Sequence, residues 1–182
     1  MLTLWNKRKF KELTLLTDEM RERGEYLLRN PKLGKRAIKR TKRGKEFSNC
    51  FGTSVWIMGQ WAQEEACRIS RNIPQIYEHC ENSVIAYKNR PSFFETNVLE
   101  TFLQENFTRE KSGRPGDLII VEDDLFYRKH GWSVVHAGVW TGVDNYALTQ
   151  HNIGGVFELE KFFNGNPFQK NYYFARLIDP TS

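Results

Sequence analysis

Apolar residues in this chain change their period part-way along it. In the first half they recur at three- and four-residue steps, the signature of helix faces. Leu13, Leu16, Met20, Leu27 and Leu28 mark a helix or two within residues 3–29, and Pro31 and Gly34 break the pattern. Val55, Met58, Ala62 and Ala66 mark a helix from Cys50 to about Ile69, closed by Asn72 and Pro74. Residues 75–88 and 95–107 continue in helical period, with Val98, Leu99, Phe102 and Leu103 on one side of the second. After "SGRPG" the pattern turns to short β-type runs: "DLIIVEDD", "WSVVHAGVWTG", "VDNYALTQH", "GGVFELEKFF" and "YYFARLI". Helices first and a meander of strands second predict an α+β domain, an antiparallel sheet packed on a helix. No internal repeat or low-complexity tract competes with that reading.

At 182 residues and 40% hydrophobic, the chain is long enough for one domain with a substantial core. No window approaches the roughly 18 apolar residues of a membrane-spanning helix. The start, "MLTLWNKRKFKELTLLTDEM", lacks the apolar stretch and small-residue cleavage site of a secretory signal. A cytoplasmic location, or export by a route needing no such signal, is the expectation. Three cysteines argue against a disulfide scaffold. Charge is uneven: residues 1–46 hold 15 Lys/Arg against 6 Asp/Glu, a net of +9, while the remainder is net −4. We therefore divide the chain into a basic, largely helical extension, 1–46, and a main domain, 47–182. The run "KLGKRAIKRTKRGK" suits an anionic partner or inhibitor, or else a solvated segment. No zinc-finger spacing or aromatic RNA-binding motif accompanies it.

Cys50 follows Ser48 and Asn49, residues that favour helix caps. At a helix N-terminus the free N–H groups and positive dipole end favour a thiolate, although a buried cysteine is commonly structural. Small neighbours Gly52, Thr53 and Ser54 leave room for a substrate. A thiolate nucleophile needs a base. His79 and His130 sit in polar surroundings, whereas His136 in "VVHAGVW" alternates with a Val/Ala/Val core face and has Gly138 beside it, leaving its side uncrowded. On the next strand, Tyr146, Leu148, Gln150 and Asn152 share one face and Ala147, Thr149 and His151 the other. With Leu148 in the core, His151 falls on the side of His136. A bulge before Gly154-Gly155 would bring Gln150 or Asn152 there instead.

Taken in order, "NCFGTSVWIMG", "RPGDLIIV", "HAGVWTG" and "ALTQHN" resemble the NlpC-type papain-like cysteine peptidases. They also resemble their relatives, the cysteine, histidine-dependent amidohydrolase/peptidase (CHAP) domains. The likeness covers about residues 47–160. It implies a papain-like fold, which would make 47–182 a papain-like cysteine hydrolase domain, with Cys50 as nucleophile and His136 as base. His151 would be the third member, with Gln150 or Asn152 as the alternatives through a CHAP-like "QHN". The Cys50 backbone N–H would serve the oxyanion, and Gly116 and Asp117 of "PGDL" would be structural. The implied activity is thiol-dependent hydrolysis of peptide or amide bonds, with peptidoglycan stem peptides the family's commonest substrate, in a lysin or a delivered effector. Acyl transfer, or hydrolysis of lipid amides or host proteins, is the alternative on the same fold. A non-catalytic module binding an anionic partner through the basic arm is the alternative from another class. No cofactor is expected, and no metal: Cys67, His79 and Cys80 lack a fourth ligand and the usual spacing.

Overall fold

A computed structural model describes residues 10–32, 39–41, 44–46, 50–58, 103–122, 134–151, 155–162 and 171–178. A 3-10 turn at Lys11–Leu13 leads into helix α1, Asp18–Arg29. Thr17 caps α1, its hydroxyl accepting the Met20 N–H at 3.3 Å. Asp18 and Glu19 lie in the first turn and Arg29 in the last, each suited to the helix dipole. Strands β1, Lys39–Thr41, and β2, Gly44–Glu46, pair antiparallel within the basic segment. Helix α2, Cys50–Ile57, follows; residues 59–102, and with them the expected continuation to 69 and the helices at 75–88 and 95–102, lie outside the described residues.

The rest is a six-stranded antiparallel sheet. Its strands are β3, Phe107–Glu110; β4, Leu118–Glu122; β5, Val134–Trp140; β6, Tyr146–Gln150; β7, Phe157–Lys161; and β8, Asn171–Leu177. They lie in the order β3-β8-β4-β5-β6-β7, so the last strand inserts between β3 and β4. The expected α+β class with an antiparallel sheet is what the chain adopts. Residues 103–106 are helical, but Phe107 already begins β3, where the sequence period suggested the end of a helix. "FTRE" holds one buried apolar residue, so its strand state comes from pairing with β8 and not from alternation.

Both faces of the sheet are covered. One carries Leu118, Ile120, Ala137, Val139, Leu148 and Ala175, packed with Phe51, Val55 and Ile57 of α2. The other carries Ile119, Val121, Trp140, Ala147, Phe162 and Phe174. This explains why "LIIV" in β4 is an unbroken apolar run and not an alternating one. It also changes the surroundings expected of His136. Its side of the sheet is not open: a Cβ on Gly138 would meet Ala147 Cβ and Thr149 Cβ at 3.3 Å, so the glycine permits a close approach of β6.

The segment read from sequence as an extension supplies core residues. Leu13, Leu16 and Leu27 are buried in the cluster that holds Phe51 and Val55. Arg23 of α1 donates to the Trp56 carbonyl near the end of α2 at 2.5 Å and lies over the Trp56 ring. Its neighbours pair internally, Arg29 with Glu25 and Arg21 with Asp18. Most of the dense basic run falls outside the described residues. Among the described residues no helix is long and apolar enough to cross a membrane.

The "PGDL" turn starts β4. Gly116 has a φ of 93°, a left-handed conformation that suits glycine. Asp117 is buried and accepts the Arg114 N–H at 2.7 Å and two hydrogen bonds from Arg176 at 3.2 and 2.8 Å. A buried carboxylate so bonded fixes where β8 meets β4.

Candidate active site

Cys50 opens α2, and α2 is apolar nearly all round because it is packed between α1 and strands β5 and β6. The Ser54 hydroxyl donates back to the Cys50 carbonyl at 2.7 Å, a bond internal to the helix. Cys50 is half-buried. The His136 ring and the backbone N–H groups of Ala137 and Phe51 lie near enough to its sulfur to favour the thiolate. Space for it exists because the β5–β6 ladder ends at the Gly138–Thr149 pair. Beyond that pair the Ala137 carbonyl is taken by the Thr149 hydroxyl at 2.8 Å, and the Ala137 backbone helps to stabilise the thiolate.

Burial pushes the Cys50 thiol up. The hydrogen bond and charge of His136, with the two backbone donors, outweigh that and hold it below its usual 9.0. Burial likewise pulls His136 down. Hydrogen bonds to Cys50 and Glu160, with the negative charge on each, overcome it and raise the imidazole to about 10. The arrangement favours a thiolate beside an imidazolium.

The far side of the ring is held by a carboxylate. His136 Nε2 lies 2.9 Å from Glu160 Oε2 on β7 and 3.1 Å from the Thr149 hydroxyl oxygen. The Thr149 hydroxyl gives its hydrogen to Ala137, so both neighbours of Nε2 are acceptors. Nε2 therefore carries the proton, and Nδ1 is the nitrogen left for Cys50. The ring also lies parallel to Phe162, centroids 6.3 Å apart. Glu160 reaches this place through register: Ala147 pairs with Glu160, which puts it on the face of Thr149 and His136.

Of the residues nominated from sequence, Cys50 and His136 come together. His151 lies on the same side, as parity required, its ring 6.3 Å from that of His136. However, it is exposed and its Nδ1 lies 3.3 Å from Glu158. The position on His136 Nε2 belongs to Glu160 and Thr149, so His151 is not its hydrogen-bond partner. Gln150 points to the helix side, where its amide oxygen accepts the Thr53 hydroxyl at 2.6 Å. Asn152 lies outside the described residues, as do Cys67, His79, Cys80 and His130. Among the described residues no group of His, Cys, Asp and Glu is placed to hold a metal ion.

Glu160 was missed because "FELEK" reads as an outer strand with a solvated acidic face. The available signal was its alternation with Phe157 and Leu159, which fixes the shared face of Glu158 and Glu160. Only the pairing register says that this face meets His136. No protein-family model, curated protein or solved structure matches the chain.

Proposed function

We propose that this chain is a thiol hydrolase of peptide or amide bonds, working through Cys50, His136 and Glu160. One observation carries the reading: His136 is held between the Cys50 sulfur on one side and the Glu160 carboxylate, 2.9 Å away, on the other. A structural cysteine has no use for a charged, carboxylate-anchored imidazole buried beside it, because burying that ion pair costs desolvation. The Cys50 thiolate attacks the amide carbonyl, and the Cys50 backbone N–H, at the first position of α2, serves the oxyanion. The C–N bond breaks as His136 passes its Nδ1 proton to the leaving amine. Water then adds to the thioester, giving a proton to His136. The C–S bond breaks, the acyl group leaves as an acid, and the thiolate–imidazolium pair is restored. Glu160 and Thr149 keep Nε2 protonated throughout.

The sequence resemblance makes peptidoglycan stem peptides the first substrate to try, and the papain-like description of the fold rests on it too. Purified peptidoglycan is digested with wild type and with Cys50→Ala, and the fragments are weighed by mass spectrometry. New fragments with wild type alone support the reading. A thiol-reactive amide-type probe should label Cys50 at neutral pH well before Cys67 or Cys80. Equal labelling of all three, or labelling of Cys50 that His136→Ala leaves unchanged, overturns it.

A further inference from the structure

Gln150 is fully buried although its side chain is polar, and the His136 site does not use it. Its amide oxygen accepts the Thr53 hydroxyl at 2.6 Å, and its amide nitrogen donates to the Gly155 carbonyl at 3.3 Å. Thr53 is itself buried and stands one helical turn after Cys50 on α2. Gly155 lies two residues before β7, the strand of Glu160, and the His151 N–H bonds the Val156 carbonyl between them at 3.1 Å. One side-chain amide thus joins the helix of the nucleophile to the approach of the strand that carries the carboxylate, across β6. We propose that Thr53 and Gln150 are positioning residues that seat Cys50 against His136 and hold β7 in step with it. This rests on the thiol hydrolase reading.

The physical reason is directional. Apolar packing of α2 resists its separation from the sheet but tolerates small slides along it, because the hydrophobic effect is not directional. A buried hydrogen bond fixes the slide, and leaving either partner unmade in the interior is costly. A shift of about 1 Å in a reacting group is enough to lower a rate a hundredfold.

The test compares Thr53→Val, which keeps the side-chain shape and removes the hydroxyl, with Thr53→Ser, which keeps the hydroxyl. Alkylation of Cys50 is followed against pH in the full chain, with thermal unfolding in parallel. Wild type should alkylate rapidly at neutral pH. Thr53→Val should react about tenfold more slowly there, the size of one buried hydrogen bond, with its acid limb moved toward the ordinary thiol value. Thr53→Ser should restore most of the rate. If Thr53→Val does not fold, Gln150→Met takes its place, since it keeps the side-chain length and removes both hydrogen bonds without adding a charge; the same slowing is expected. A folded variant with the wild-type pH profile, merely melting earlier, overturns the proposal, as does a Thr53→Ser no faster than Thr53→Val. A wild type whose Cys50 shows no enhanced reactivity overturns the hydrolase reading as well, so the two failures are told apart.

Discussion

At Nε2 of His136 the nearest oxygens both accept, and this decides what Glu160 contributes. It orients the ring and supports its positive charge. Glu160→Gln removes that charge and should lower kcat/KM about tenfold to a hundredfold, part of what general acid–base catalysis supplies. His136 then loses one of the causes that raise it to about 10, so the alkaline limb expected of the wild-type rate profile should move to lower pH. His151→Ala, by contrast, should leave both quantities close to wild type, because Glu160 and not His151 occupies Nε2. A pH–rate series on the two variants checks both statements.

Stability should follow the same pair. Unfolded, the groups titrate near their ordinary values of 6.5 and 9.0; folded, the imidazole is raised to about 10 and the thiol is lowered. Between pH 6.5 and 9.0, wherever the folded thiol is ionised, each state binds one proton. It sits on sulfur in the unfolded chain and on the ring in the folded one, so the pair's contribution is flat. Below 6.5 the unfolded pair gains a second proton and stability falls with pH. Above 9.0 the unfolded pair holds none, and stability falls as pH rises through about 10. The difference in unfolding free energy between wild type and a Cys50→Ala, His136→Ala double variant, measured by urea titration across pH, should trace this plateau.

Among the elements, the β5–β6 connection has its chemistry in a turn-like Asp-Asn pair. "VDNY" forms a tight turn in which Asp144 and Asn145 have φ of 48° and 61° and the Tyr146 N–H bonds the Val143 carbonyl at 2.9 Å. Positive φ at both central positions is the type I′ requirement, and Asp and Asn tolerate it. Asn145→Val should cost about 1–2 kcal/mol, while Asn145→Gly should be neutral or stabilising; urea unfolding of the two variants provides the comparison. The Cys50–His136 pair was legible for a similar reason, since a helix start and strand parity are local. The place of Glu160 was not. It depends on which residue of β6 faces it, and a one-residue slip would send it to the helix side. Gln150 shows the same limit in reverse: parity with Leu148 puts it on the helix face, and it lies there, bonded to Thr53, and not beside His136.

On the scale of the whole molecule, the charge boundary at residue 46 does not separate two cores. Leu13 is completely buried and Leu27 nearly so, in contact with the cluster beneath the sheet. Net charge speaks to solubility and partners, not to packing, so a shift in charge along the chain does not mark an edge of the core. Leu13→Ala or Leu27→Ala should lose about 2–5 kcal/mol, read from denaturant midpoints. A chain starting at residue 47 should lose its cooperative transition.

The bond between Thr53 and Gln150 spans 97 positions, and Glu160 lies further still along the chain. Closing so long a loop is slow, and domains begin folding from the end made first. During synthesis the cysteine therefore leaves the ribosome well before its base, and the carboxylate that holds the base comes last. A nascent chain with α2 formed but β7 still unmade carries an ordinary thiol. Under the proposed function, chemical competence waits until β7 has joined the sheet, so a half-made molecule holds the nucleophile without the assembled site.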